Sequence, residues 1–192
     1  ARARNGAGTY STTYSTVTTV FDTDTPLTNA LWPVTGSTMS ALAMISGTSN
    51  DEPTGTGGVV GSVRAYLIRL SDGQYWTGGG WSGTPSMLTP GGSGLQVHQT
   101  SWSLSQSLPS NNQLVSGNSY YLTTSGIDDA MPVPPGTTGN TEPFFGAVRA
   151  STFTVDLVPP VAVISTPIDN AVIPSLAKIV GTADDVLAGA RL

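Results

Sequence analysis

Two stretches of this chain match each other without a gap, and that match limits what the chain can fold into. Asp22 falls on Asp156, an offset of 134 residues, and the register holds through to Asp51 and Asp185. Pro26, Pro33, Leu42, Ala43, Ile45, Gly47 and Thr48 meet the same residue types at Pro160, Pro167, Leu176, Ala177, Ile179, Gly181 and Thr182. Nine of 30 positions are identical, where average residue usage gives about two. Leu27 with Val161 and Val34 with Ile168 add conservative pairs. Shared Pro- and Thr-rich composition produces chance matches, but it does not place two Pro, a Gly and an Asp in one register. The chain therefore reads as a tandem array with a period of about 134 residues, cut out of phase. It starts at Ala1 with no charged-then-apolar leader, so it is expected to be a processed protein or a piece of a longer one.

Between the punctuating residues the segments are strand-like. Residues 14–21, 27–31, 42–48, 63–70, 74–77, 100–105, 119–125 and 147–155 are dense in Thr, Val and aromatic side chains, which suit a pleated, half-buried surface. Clusters such as Asp51-Glu52-Pro53 and Pro134-Pro135-Gly136 separate them. No window carries a capped 3.6-residue period, and residues 169–176 hold one short helical turn at most. Seven or eight short strands in one period predict an all-β fold, a two-sheet antiparallel sandwich. Leu114, Gly117, Tyr120 and Leu122 predict a tyrosine corner, with Tyr121 as the other occupant because neighbours point to opposite faces.

Composition removes several function classes. Seven basic residues against twelve acidic ones give a net charge of −5, which is no footprint for nucleic acid. No apolar run reaches the roughly 18 residues of a membrane-spanning helix. The absence of Cys excludes thiolate metal sites, and a single histidine, His98, makes a multi-His metal site or a Ser-His-Asp triad hard to build. No acid–base pair falls on strands facing a shared cleft, so the chain is read as a non-enzyme. The 27 Thr and 22 Ser, against one Lys (Lys178), point to a surface solvated by hydroxyls rather than charge.

The order of motifs carries a family resemblance. "GQYWTGGGW" (73–81), the strand around Trp102, "LVSGNSYYL" (114–122), "FTVDLVPP" (153–160) and "IVGTADD" (179–185) follow one another. Together they resemble the tandem immunoglobulin-like repeats of large bacterial secreted and cell-surface proteins. The resemblance spans about residues 20–192 and implies an immunoglobulin-like sandwich. Residues 22–157 are then one complete repeat. Residues 1–21 are the terminal strand of a preceding repeat or a free donor strand, and 158–192 are the first two strands of a following repeat. Those last 35 residues are fewer than the roughly 40 that sustain a core alone. The chain departs from the family's "A-x-D-x-x-G-N" loop, because Asp129 is followed by "AMPVPPGTTGN" before the loop closes at Asn140.

In such a sandwich the N-terminal linker and the loops after the second and sixth strands share one end. Asp22, Asp24, Asp51 and Asp128 fall there, with Glu52, Asp129 and Glu142; Asp156 and Asp185 fall at the next junction, with Asp184. Carboxylates massed in this way suit calcium, a hard cation that takes six to eight oxygens. The plainer account is that acids in a strand-rich chain have only loops to occupy. Tyr75, Trp76 and Trp81 are candidate glycan-stacking aromatics, weighed against packing of Trp76 and Trp81 in an edge hairpin.

The expected role is structural: a stalk, matrix or filament segment of an extracellular, secreted or cell-surface protein. Its partners are neighbouring copies of itself or adjacent repeats, joined by domain stacking or by strand addition through residues 14–21. The rival roles are a carbohydrate-binding or adhesion module for surface glycans and an accessory domain of a large secreted hydrolase.

Overall fold

Alternation along the longest strands builds the core. In residues 60–69, Val63, Ala65 and Leu67 are buried while Arg64 and Tyr66 point to the other face, as a period of two requires. A computed structural model describes residues 2–18, 22–51, 60–88, 96–98 (backbone only), 100–129, 139–144 and 148–185. The described residues form twelve strands and no helix. In chain order they are β1 (Leu27–Trp32), β2 (Thr38–Met39), β3 (Ile45–Asn50), β4 (Val60–Arg69), β5 (Gln74–Trp76), β6 (Trp81–Ser82), β7 (Gln96–His98), β8 (Ser101–Leu104), β9 (Ser119–Asp128), β10 (Ser151–Val155), β11 (Val161–Thr166) and β12 (Val180–Asp184).

Two sheets enclose one hydrophobic core. The first has the order β1-β3-β8-β7 and contributes Ile45, Trp102 and Leu104; the second, β2-β10-β9-β4-β5-β6, contributes Val63, Leu67, Trp76, Tyr120, Leu122, Phe153 and Val155. The pairing is antiparallel except where β2 runs parallel to β10, so the second sheet is mixed rather than purely antiparallel. That strand of two residues, like β6 and β7, is too short for sequence alternation to announce. The strand predicted over 14–21 does not form in its described part: residues 14–18 are exposed and take no strand assignment, and 19–21 lie outside the described residues. Residues 169–176 contain no helical turn.

The tyrosine corner is occupied by Tyr120. Its ring is fully buried against Phe153, and the Val115 N–H donates to its hydroxyl at 2.9 Å. Burial raises the phenol pKa above its ordinary value.

A separate hairpin, β11–β12, repeats the pairing of β1–β3 position by position. Leu27 faces Asn50, Asn29 faces Thr48, Ala30 faces Gly47, and the ladder slips between Ala30 and Trp32. At an offset of 134, Val161 faces Asp184, Val163 faces Thr182, Ile164 faces Gly181, and the ladder slips between Ile164 and Thr166. The slip is a β-bulge in the same place in both. The glycine opposite it is needed in both: a Cβ on Gly47 would lie 1.7 Å from the Asn29 carbonyl oxygen, and one on Gly181 would lie 2.4 Å from that of Val163. The surroundings differ. Ile45 and Thr28 are buried in the first hairpin, whereas every residue of β11 and β12 is exposed.

Candidate metal centre at one end of the sandwich

Strand register brings three carboxylates together. Asp22 leads towards β1, Asp51 follows β3 and Asp128 ends β9. Leu27 lies opposite Asn50 and Val60 opposite Asp128, so the three acids meet at one end of the two sheets. A carboxylate oxygen from each lies within 4.8 Å of the others. Asp51 and Asp128 are 4% and 5% exposed, and Asp22 is half-buried.

The loop between Asp128 and Asn140 closes on this cluster. The Asn140 side-chain amide donates to Asp128 Oδ2 at 2.7 Å and to the Asp22 carbonyl at 3.3 Å, and the Asp128 N–H donates to the Asn140 carbonyl at 3.1 Å. Gly139 makes the approach feasible, since a Cβ there would stand 2.0 Å from Asp128 Oδ1. Residues 130–138, the inserted part, lie outside the described residues. Asp22 Oδ1 accepts from the Asp24 N–H, while Asp22 Oδ2 is shut off from solvent with no hydrogen-bond partner among the described residues.

Three converging carboxylates repel one another unless protons or a cation intervene. An all-oxygen donor set of this charge suits a hard divalent cation better than a soft one. The orphaned Asp22 oxygen fits that requirement: a buried acceptor without a donor is the condition a cation relieves.

The remaining predicted acids divide between the two ends. Asp24 is exposed and lines a shallow cleft beside Asp51 without joining the cluster. Asp156 and Asp185 share a groove of about 710 Å³ at the opposite end, where Asp156 Oδ1 accepts from Ser116 Oγ and the Val158 N–H. They are the offset equivalents of Asp22 and Asp51. Glu142 departs from its expected place among the loop acids. It is 2% exposed and pairs with Arg149 at 2.9 Å, inside the fold rather than at the acidic end.

The aromatic candidates do not form a platform. Trp76 is 1% exposed and its indole N–H donates to the Ser107 carbonyl. Trp81 is half-buried, donates to the Gln113 carbonyl at 2.7 Å, and packs edge-on to Trp76 at 5.3 Å. The Arg69 guanidinium caps Trp81 at 4.7 Å and bonds Asp72. That bond holds the Asp72 carboxyl below its ordinary pKa. Tyr75 points to the opposite face, edge-on to Tyr66 at 5.2 Å. Trp76 and Trp81 are opposite each other across β5 and β6 and pack together, while Tyr75, next to Trp76 in the strand, lies on the other face. Lys178 is exposed just before β12, and His98 lies in β7, of which only the backbone is described.

No helix among the described residues is long and apolar enough to cross a membrane. No family model, curated protein or solved structure matches the chain.

Proposed function

We propose that the chain is a structural segment of an extracellular repeat protein: an immunoglobulin-like sandwich over residues 22–157, preceded by the end of one repeat and followed by the opening of the next. The observation that carries this reading is the duplicated hairpin register, including its bulge, at an offset of 134 residues. A chain that spends its second hairpin on copying its first is built for length rather than for a reaction. Stiff units joined by short Pro-containing linkers such as Val158-Pro159-Pro160 would transmit load along a stalk, matrix or filament.

The mechanical role is tested by pulling single molecules from their ends. Residues 22–157 should unfold in one step that releases roughly 480 Å of contour length, given about 3.5 Å per extended residue. Gradual lengthening without a step would contradict a load-bearing unit.

In this reading calcium stiffens the end where Asp22, Asp51 and Asp128 converge. Calcium at about a hundred times its dissociation constant stabilises a folded protein by about 2.7 kcal/mol, which raises the melting temperature of a chain this size by roughly 5–10 °C. Magnesium should not reproduce the rise, because it demands a tighter octahedral shell. Asp51→Asn and Asp128→Asn should each abolish it. A melting temperature indifferent to calcium would remove the metal from the account and leave the sandwich in place.

A further inference from the structure

The exposed hairpin has an apolar groove whose occupant the sandwich itself identifies. In the sandwich, the segment after β1 is covered by β10. The Gly36 N–H donates to the Thr152 carbonyl, the Thr154 N–H to the Ser37 carbonyl and the Asp156 N–H to the Met39 carbonyl, at 2.7–2.9 Å. The offset carries Gly36, Ser37 and Met39 to Asn170, Ala171 and Ile173. The backbone is prepared in the same way at both places, with φ of +80° at Gly36 and +60° at Asn170. In the hairpin Ala171 and Ile173 border a groove of about 430 Å³ that also includes Ile168 and Leu176. Ile168 is 76% exposed, Ile173 43% and Leu176 59%.

The same offset taken backwards says which segment of this chain matches β10. Ser151–Val155 falls on residues 17–21, "VTTVF", and Asp156 on Asp22. The inward residues of β10 are Ser151, Phe153 and Val155; their counterparts are Val17, Thr19 and Phe21, so two of three are apolar. Asp22 stands at the acidic end of the sandwich, whereas β10 runs antiparallel to β9 and leads away from that end towards the hairpin.

We propose that residues 17–21 of a second copy of this chain add as a strand in the groove formed by Pro167 to Leu176, parallel to residues 172–173 as β10 lies parallel to β2. The contact joins the tail of one copy to the head of the next. It is heterologous, so each added copy leaves a donor and an acceptor free and assembly runs past the dimer. This inference rests on the repeat reading above and adds the partner, the acceptor groove and the donor strand.

Sedimentation of the full chain over a wide concentration range tests it. The wild type should grow past the dimer as concentration rises. Ile168→Asp/Ile173→Asp in the acceptor and Val17→Asp/Phe21→Asp in the donor should each lose every species above monomer. Ile168, Ile173 and Val17 are exposed, so melting of the sandwich should be unaffected and serves as the folding control. Mixed in equal amounts, the two variants should stop at a heterodimer, because each keeps the half the other lacks. A wild type that stays monomeric, or growth that survives either double substitution, overturns the proposal. A synthetic peptide of residues 151–157, the β10 sequence, separates the two levels of the argument. If it protects the Asn170 amide from hydrogen exchange in a chain that does not self-associate, the repeat reading stands and the second copy is the wrong occupant. If that chain shows no protection, the repeat reading falls with the proposal.

Discussion

Glu142→Ala lowers the stability of the sandwich by about 3–5 kcal/mol, because it strips the acceptor from several buried donors at about 1–3 kcal/mol each. Four donors converge on this carboxylate. Oε2 accepts from the Thr28 N–H at 3.0 Å, the Thr28 hydroxyl at 2.6 Å and the Gly126 N–H at 3.0 Å, and Oε1 meets Arg149 at 2.9 Å. The backbone of the same residue bonds Gly126 and the Ser125 hydroxyl, so one residue fastens β1 of the first sheet to β9 of the second. Alanine leaves the Thr28 and Gly126 amides buried without an acceptor, and a buried donor left unmade costs about 1–3 kcal/mol by itself. Arg149→Met should cost less, because its side chain is 27% exposed and three donors still hold the carboxylate. Urea denaturation of the two variants measures the difference. A loss below about 1 kcal/mol for Glu142→Ala would show that the clasp is not what holds the two sheets in register.

Gly47→Ala should destabilise the sandwich by about 3 kcal/mol or more, beyond the usual range for overpacking because the collision is with backbone. The added Cβ would sit 1.7 Å from the Asn29 carbonyl oxygen and 2.5 Å from Trp102 Cζ2. Trp102 is 1% exposed, and its indole N–H donates to the Thr48 carbonyl at 3.1 Å, so it has nowhere to retreat. Either β1 parts from β3 or the indole leaves the core. Gly181→Ala meets the same kind of clash in the hairpin, 2.4 Å from the Val163 carbonyl oxygen. Because that hairpin is exposed throughout, the melting temperature of the sandwich should not move. The loss should appear as faster amide exchange between residues 161 and 184. Equal effects of the two substitutions on the main melting transition would contradict the separation of hairpin from core.

The features legible in the sequence were those written in local chemistry. Pro26, Pro33 and Gly47 punctuate the first hairpin in the chain itself, so its strands could be placed within a few residues. Tyr120 was legible because a Tyr after Gly117 at a strand entry has few other uses. Convergence of Asp22, Asp51 and Asp128 followed from assigning each to a loop at one end. What escaped depends on tertiary convergence. Glu142 reads as one more loop acid until β1 and β9 bring their amides to it. Trp76 and Tyr75 alternate faces in any strand, and only the pairing of β4 with β5 decides which enters the core. β2 has two residues, and its parallel partner lies more than a hundred residues away. Residues 14–18 have strand-forming side chains yet take no strand assignment, because propensity alone does not make a strand.

The claim beneath all of this is that residues 27–50 and 161–184 are one structure written twice. Cross-strand proton contacts from nuclear Overhauser spectra of the full chain measure it directly. They should link Asn29 with Thr48 and Ala30 with Gly47, and equally Val163 with Thr182 and Ile164 with Gly181. Pairing of the second hairpin displaced by even one residue, or no strand contacts at all between 161 and 184, would contradict the duplication and the function built on it.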